Sequence, residues 1–320
     1  MTRDADPSAP PLSPLRDGLA RAQYAAARAA AGIVRAMPLD MASATMGAAW
    51  RTIAPWTHRH PRALGHVALA MPELDEAERR RIVMGMWDNL GRVTAETLQI
   101  DRLIADPSRI ELPPRTIEIL EQARQGGVLV SLHTGNWEVV VRAATAAGLI
   151  ATGIYRAVDN PYVERWLYDM RRPLYPGGLI PKGDPAARLL IARAKRRETI
   201  AVMADLRDSR GILVPFFGHM AYANPFPAMV ALMTRKPLIA GRVMRLDGAR
   251  FRIDAEEIAV TRTGERIGDV LATTIALHER FETWIRERPE QWMWIHRKWE
   301  VAQAKRRAAR FIGPPNREED

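Results

Sequence analysis

The feature that most limits the fold is the alternation, after Pro113-Pro114, of short apolar runs with longer stretches of helical character. Thr116–Arg124 reads as a helix ended by Gly126-Gly127, and Val128-Leu129-Val130-Ser131-Leu132 as a buried strand. A helix follows through Ala147, with Gly148 as its stop. Further strands are expected at Ala151–Arg156, Thr199–Met203, Leu238–Leu246 and Phe251–Ile258. Helices are expected at Pro161–Arg172, Pro185–Arg197, Ala228–Thr234 and Arg266–Arg288, and Val214-Pro215-Phe216-Phe217 is a short apolar segment between them. An apolar strand needs cover on both sides, and the intervening helices supply it. The expected fold is α/β: a mixed, mostly parallel central sheet with helices on both faces, preceded by a helical N-terminal part.

That N-terminal part spans 17–112, after a tail at 1–16 expected to be disordered, with Pro7, Pro10, Pro11 and Pro14 among Asp and Ser. Leu19–Met37 is Ala-rich and helical, with Arg21, Arg28 and Arg35 recurring every seventh residue on roughly one face. Two readings stay open: a helix lying in a membrane interface, or an amphipathic helix packed on the domain. His58, Arg59, His60 and Arg62 form a basic cluster. Leu74-Asp75-Glu76 opens a helix carrying Ile82, Val83, Met86, Trp87, Leu90 and Val93 at helical spacing. The α/β part covers 113–302, and a basic then acidic tail covers 303–320. Neither a signal peptide nor an apolar run of about 18 residues is visible, so no transmembrane helix is expected.

Lys and Arg number 47 against 37 acids, a net charge of +10 that favours an anionic partner such as nucleic acid, anionic lipid or an acidic protein. Trp292, Trp294 and Trp299 lie among His296, Arg297 and Lys298. Aromatics interleaved with cations suit a membrane interface or a single-stranded nucleic-acid groove, unless the tryptophans are core, as at least one should be. No ribonucleoprotein, zinc-finger or basic-zipper signature supports the nucleic-acid reading. With no cysteine there is no disulfide, thiol nucleophile or cysteine metal site.

The chemistry concentrates in Ser131-Leu132-His133-Thr134-Gly135-Asn136-Trp137-Glu138. A buried strand ends at His133, Gly135-Asn136 turns, and Glu138 falls in the first turn of the next helix, with Asn136 as N-cap. A carboxylate four residues beyond an imidazole, across such a turn, can accept from one ring nitrogen and leave the other to take a proton from a hydroxyl. The pair is the base and its orienter without a nucleophile, a role that a substrate hydroxyl can fill. The plainer reading is a hydrogen-bonded structural histidine, although ligands do bind at the carboxyl ends of strands in open α/β sheets. Ser131 is a second candidate nucleophile, but no Gly-x-Ser-x-Gly elbow presents its hydroxyl.

The run His133-Thr134-Gly135-Asn136-Trp137-Glu138 resembles the His-x4-Asp/Glu box of the glycerolipid acyltransferases, and more closely the lipid A biosynthesis lauroyl/myristoyl acyltransferase family. Further segments resemble that family in the same order: Tyr155-Arg156 with Asp159-Asn160-Pro161, the basic pair Arg171-Arg172, Met203-Ala204-Asp205, Val214-Pro215-Phe216-Phe217-Gly218, and Pro289-Glu290-Gln291-Trp292-Met293-Trp294-Ile295-His296-Arg297-Lys298-Trp299. Together they span about residues 80–300. The chain departs from the family pattern at Leu206, where glutamine is frequent, and in Ala221-Tyr222-Ala223-Asn224, where a threonine or serine is usual. It also carries arginines in Leu19–Met37 where the family commonly has an apolar membrane helix.

The resemblance implies an O-acyltransferase with an acyl carrier protein thioester as donor and a phosphorylated lipid A precursor of the Kdo-lipid IVA type as acceptor. It implies His133 as general base and Glu138 as its orienter. Arg171 would bind an acceptor phosphate or hold the site, and Asp205 would position an arginine or the substrate. Arg156 and Asp159 would support the site or the substrate, or pair with each other. No cofactor, metal or nucleotide is implied. The expected partners are the carrier protein, the anionic glycolipid and the membrane surface, with no nucleic acid. The expected location is the cytoplasmic face of a bacterial inner membrane, held peripherally or monotopically. Another polar lipid, such as a glycosylated phosphoinositide or an aminolipid, is an alternative acceptor.

Overall fold

The computed structural model describes residues 13–299. Positions 1–12 of the expected N-terminal tail, and all of the expected 303–320 tail, lie outside the described residues. Five helices come first: α1 (Pro14–Ala36), α2 (Leu39–Ile53), α3 (Arg59–Ala70), α4 (Glu76–Leu98) and α5 (Ile100–Ala105). Then follow β1 (Ile110–Glu111), α6 (Pro114–Glu121), β2 (Val128–Ser131), α7 (Val141–Ala146), β3 (Ala151–Tyr155), α8 (Pro161–Arg171), β4 (Leu179–Pro181), α9 (Asp184–Lys195) and β5 (Thr199–Met203). The chain continues through β6 (Ile212–Phe216), β7 (His219–Ala223), α10 (Phe226–Thr234), β8 (Leu238–Arg245), β9 (Phe251–Ile258) and α11 (Arg266–Glu287). Residues 289–299 return to the core without forming a long element.

Seven strands form one sheet in the order β1-β9-β8-β2-β5-β3-β4. The β8–β9 pair is antiparallel and every other neighbour is parallel. Side chains alternate across the pleat. Val128, Val130, Ile200 and Ala240 therefore join one core with α3, α4, α9 and α11, while Leu129, Ala201 and Ile239 face a second core with α6 and α7. Burial on both faces is why these strands read as uninterrupted apolar runs. β6 and β7 form a separate hairpin, the structure taken up by the apolar Val214–Phe217 segment. The short strand β4 is an element that the sequence pattern did not reveal.

The N-terminal helices are tied to the sheet domain. Asp75 caps α4 in a reciprocal capping box with Glu78, which fixes the helix start where the sequence placed it. The α1 helix begins at Pro14, inside the expected tail, because proline is favoured in a first helical turn. Its arginine stripe faces protein. Arg35 forks onto Asp101 with both contacts at 2.8 Å, and Arg21 and Arg28 lie 5.1 and 5.3 Å over the rings of Tyr162 and Trp166 on α8. The helix thus packs on the domain through these arginines, while Leu15, Leu19 and Ile33 stay exposed. No helix among the described residues is long and apolar enough to cross a membrane.

Candidate active site

β2 and β5 are parallel neighbours, with Val128 opposite Ile200 and Ser131 opposite Met203. Carrying that register two residues past both strand ends sets His133 beside Asp205. The contacts follow. Asp205 Oδ1 accepts from His133 Nδ1 at 2.8 Å, while its Oδ2 accepts from the His133 backbone N–H at 2.9 Å and from the Trp292 indole N–H at 2.8 Å. Asp205 is fully buried. Burial alone pushes its pKa up, but the charge interaction with His133 and the three hydrogen bonds outweigh burial and hold it below the usual carboxylate range. An ionised carboxylate can only accept, so in the neutral form of the imidazole the proton sits on Nδ1 and Nε2 carries the lone pair. His133 keeps 14% of its side chain exposed, opening on a wide cavity, and Trp137 stands edge-on to its ring at 5.1 Å.

Glu138 does not take the orienting place expected of it. Asn136 does cap the following turn, accepting from the Glu138 N–H at 3.2 Å, but the turn is a short 3-10 one over Trp137–Val139. It aims the Glu138 carboxylate at Arg171 on α8, which donates from Nε at 3.0 Å and from Nη2 at 2.6 Å. The Arg171 fork is therefore occupied by a carboxylate rather than presented to a phosphate, and Asp205, expected to position an arginine or substrate, holds the histidine instead. Arg171 stays firmly charged: burial acts to lower its pKa, and the charge and hydrogen bonds of Glu138, with smaller help from Tyr175 and Glu164, together raise it. Arg156 is exposed and lines the cavity, whereas Asp159 is exposed and does not line it. Ser131 is buried and donates its hydroxyl to the Gly241 carbonyl at 2.8 Å, which leaves no elbow and no base for it as a nucleophile.

A second layer holds the 133–138 loop. Gly135 sits at φ +53°, and a Cβ there would meet the Val243 carbonyl oxygen at 2.5 Å, so this turn needs glycine twice over. Gln291 O accepts from the Gly135 N–H at 3.2 Å, and Asn89 Nδ2 donates to Gly135 O at 3.0 Å. Buried Glu96 accepts from Ser43 at 2.7 Å, Asn136 at 2.9 Å and Arg245 Nη2 at 2.9 Å. Sequence reasoning passed over Asn89, Glu96 and Arg245, and named Gln291 only within the Pro289–Trp299 segment, without a role. Glu96 alone left a trace, as an acid on the apolar side of α4 that only a polar partner explains.

The cavity in front of His133 measures about 700 Å³. Its wall includes Trp137, Glu138 and Arg171, and cations from several parts of the chain line it: Arg59, Arg62, Arg156, Lys182, Arg207 and Arg297. Ile154, Tyr175 and Met203 are shared with a narrow, mostly apolar pocket that runs under the sheet against Leu129, Val140, Ala144 and Ile253. The tryptophans of the C-terminal segment face neither solvent nor bilayer. Trp292, Trp294 and Trp299 are 1%, 0% and 5% exposed, packed with Phe216 and Phe217, and Lys298 is buried with them. This removes the aromatic platform that a nucleic-acid groove or an interfacial belt at this segment would need. Lys298 Nζ donates to His278 Nε2 at 3.2 Å, since Nδ1–H of His278 faces the Thr274 carbonyl at 2.9 Å. Burial lowers the Lys298 pKa to about 8 and the His278 pKa to about 3.

Fold and site together define an α/β protein with a His133–Asp205 pair opening on a cavity at the carboxyl end of the sheet. Residues 16–301 match the family model described as bacterial lipid A biosynthesis acyltransferase, and the chain belongs to that family of acyltransferases. It is similar to the lipid A biosynthesis lauroyltransferase of Escherichia coli (strain K12), with 24% identity over 246 residues, 74% of this chain and 77% of that protein.

Proposed function

We propose that this acyltransferase moves a fatty-acyl group from an acyl carrier protein thioester to a hydroxyl of a phosphorylated lipid A precursor, of the Kdo-lipid IVA type. The observation that carries this reading is His133: an imidazole whose Nδ1 proton is fixed by a buried, ionised Asp205, and whose other nitrogen is left for the cavity. Nε2 takes the proton of the acceptor hydroxyl, and the oxygen forms a bond to the thioester carbonyl carbon. The tetrahedral adduct then breaks its C–S bond, and the departing thiolate recovers the proton from the imidazolium to leave as carrier thiol. Asp205 keeps the imidazole oriented and stabilises its charge in between. No bond-making step calls for a metal or nucleotide.

The apolar pocket beyond Ile154, Tyr175 and Met203 is the place for the acyl chain, since it meets the cavity beside His133. The cations lining the cavity suit both substrates: an acidic carrier protein and lipid phosphates. The Glu138–Arg171 pair is the wall between α8 and the base, and phosphate contact falls to the lining residues Arg59, Arg156 and Arg297. Attachment is peripheral, at the cytoplasmic face of the inner membrane. The docking face is the turn between α2 and α3, where Trp56 is 90% and Ile53 66% exposed beside Arg51, His58 and Arg59. An aromatic and an aliphatic side chain among cations match an anionic bilayer interface, and Arg59 continues from this turn to the cavity.

A two-by-two assay tests the acceptor: wild type or Arg156→Ala with Arg297→Ala, each on the phosphorylated lipid and on its dephosphorylated form. Loss of charge-assisted contacts should lower kcat/KM about 10- to 100-fold on the phosphorylated acceptor alone. Equal losses on both lipids would remove the phosphate from the reading. Mass spectrometry of lipids from cells with and without the protein identifies the acceptor directly.

A further inference from the structure

Acyl transfer needs a donor for the carbonyl oxygen as well as a base for the hydroxyl, because negative charge gathers on that oxygen in the tetrahedral adduct. Four amides of the loop around the base are already engaged. The N–H groups of His133, Thr134, Gly135 and Glu138 are committed to Asp205, Leu132, Gln291 and Asn136. The Glu138 carboxylate occupies Nε and Nη2 of Arg171. Across the cavity, however, stands His296. Its ring lies 6.2 Å from the His133 ring, tilted by 36°, and both line the cavity. It is half-buried, and neither ring nitrogen has a hydrogen-bond partner among the described residues.

We propose that His296 is a second catalytic histidine, whose imidazole N–H donates to the thioester carbonyl oxygen as it becomes an oxyanion. The inference rests on the acyl-transfer reading above. The adduct carries the attacking oxygen and the former carbonyl oxygen on one carbon. Two imidazoles facing each other at this spacing bracket that pair, one receiving the proton and the other meeting the charge. The position of His296 is fixed on both sides: its carbonyl accepts from the Lys298 N–H at 2.8 Å, and the Arg62 guanidinium holds the neighbouring Ile295 carbonyl at 3.3 Å. The groups that act on it electrostatically are His133, Asp205, Arg59 and Arg156. Burial first, then the neighbouring His133 and arginines, lower its pKa to about 4, against the opposing pull of Asp205. At neutral pH it is thus a neutral N–H donor, which does not hold a phosphate in the ground state but does strengthen as the oxyanion forms.

The experiment compares wild type with His296→Ala, His296→Gln and His133→Ala, using carrier-protein thioester and phosphorylated acceptor, with thermal melts to confirm folding. His296→Ala should lower kcat about 10²- to 10³-fold with KM for both substrates changed less than about threefold. His296→Gln, which keeps an N–H donor, should recover at least about tenfold of that loss. Turnover of His296→Ala near wild type, or a rise in acceptor KM with kcat unchanged, overturns the proposal. So does nitrogen NMR of the whole enzyme showing His296 protonated on both nitrogens at pH 7. If His133→Ala keeps its turnover, it is the base assignment and the acyl-transfer reading that fail, a result distinct from any in the His296 series.

Discussion

Replacing Asp205 by asparagine keeps the size of the side chain but removes its charge and its ability to accept at both ends. Oδ2 receives two hydrogen bonds, from the His133 backbone N–H at 2.9 Å and the Trp292 indole at 2.8 Å, and Oδ1 receives one, from His133 Nδ1 at 2.8 Å. An asparagine oxygen placed at Oδ1 would set its NH2 against two N–H groups; placed at Oδ2, it leaves a single conflict, with Nδ1. The second arrangement wins, and the conflict is relieved when the imidazole moves its proton from Nδ1 to Nε2. Each unrelieved donor–donor contact costs about 1–3 kcal/mol in a buried site, so the tautomer shift is strongly driven. The shifted tautomer presents a donor where the hydroxyl needs an acceptor. The expected result for Asp205→Asn is a loss of about 10³–10⁴-fold in kcat with a thermal midpoint within a few degrees of wild type. Initial rates on purified enzyme, with thermal melts alongside, read both quantities. Asp205→Asn within tenfold of wild type, combined with an inactive Glu138→Gln, would refute the register argument and return the orienting role to Glu138.

Breaking the Glu138–Arg171 pair from either side should destabilise by about 3 kcal/mol, with the double alanine variant no worse than the worse single one; additive losses in denaturant titrations would show that the two do not act as a pair. Trp56→Ala should weaken binding to anionic vesicles about tenfold while leaving turnover of detergent-dispersed acceptor unchanged, and unaltered vesicle sedimentation would exclude this turn as the docking face. His278 has its pKa lowered from 6.5 to about 3. Between those values the unfolded chain binds a proton that the folded chain refuses, so its contribution to stability is complete above pH 6.5 and declines as pH falls, by about 1.4 kcal/mol per pH unit. His278→Gln, which still accepts from Lys298, should show a shallower loss of stability from pH 6.5 to pH 5 in denaturant titrations; parallel slopes would contradict the assigned shift.

The sheet was legible because its central strands are buried on both faces, and burial writes itself into Val128–Leu132, Thr199–Met203 and Leu238–Leu246 as apolar runs. His133 was legible too, as a polar residue at the end of such a run. Its partner was not. Asp205 comes beside His133 through the pairing of two parallel strands, and the sequence states where strands lie but not which of them are neighbours or in what register. The local carboxylate, Glu138, therefore drew the role that a distant one holds. The β6–β7 hairpin was hidden for a different reason. Its turn, Phe217-Gly218, has both residues at positive φ, 52° and 71°, where asparagine or glycine is the usual signal at the first position. Phe217 tolerates the strain because its side chain is buried and its N–H donates to Glu282 Oε2 at 2.5 Å. The tryptophans of 292–299 lie in irregular backbone, which has no period to mark an inner face, so composition suggested a surface where packing made a core.

Trp292 reaches back to a carboxylate 87 positions earlier in the chain. At about 5–20 residues per second, a ribosome takes roughly 4–17 s to make that stretch. During that interval the β2–β5 pair can already have zipped, yet Asp205 lacks its indole donor and the 133–138 loop lacks the Gln291 carbonyl that fixes Gly135. Phe216 and Phe217, destined to lie against Trp292 and Trp294, have no cover either. Just before Trp292 is made, the nascent chain is thus a nearly complete sheet with a wet, sticky hole around His133 and Asp205. Its window for aggregation or chaperone capture closes only when a handful of late residues slots into place.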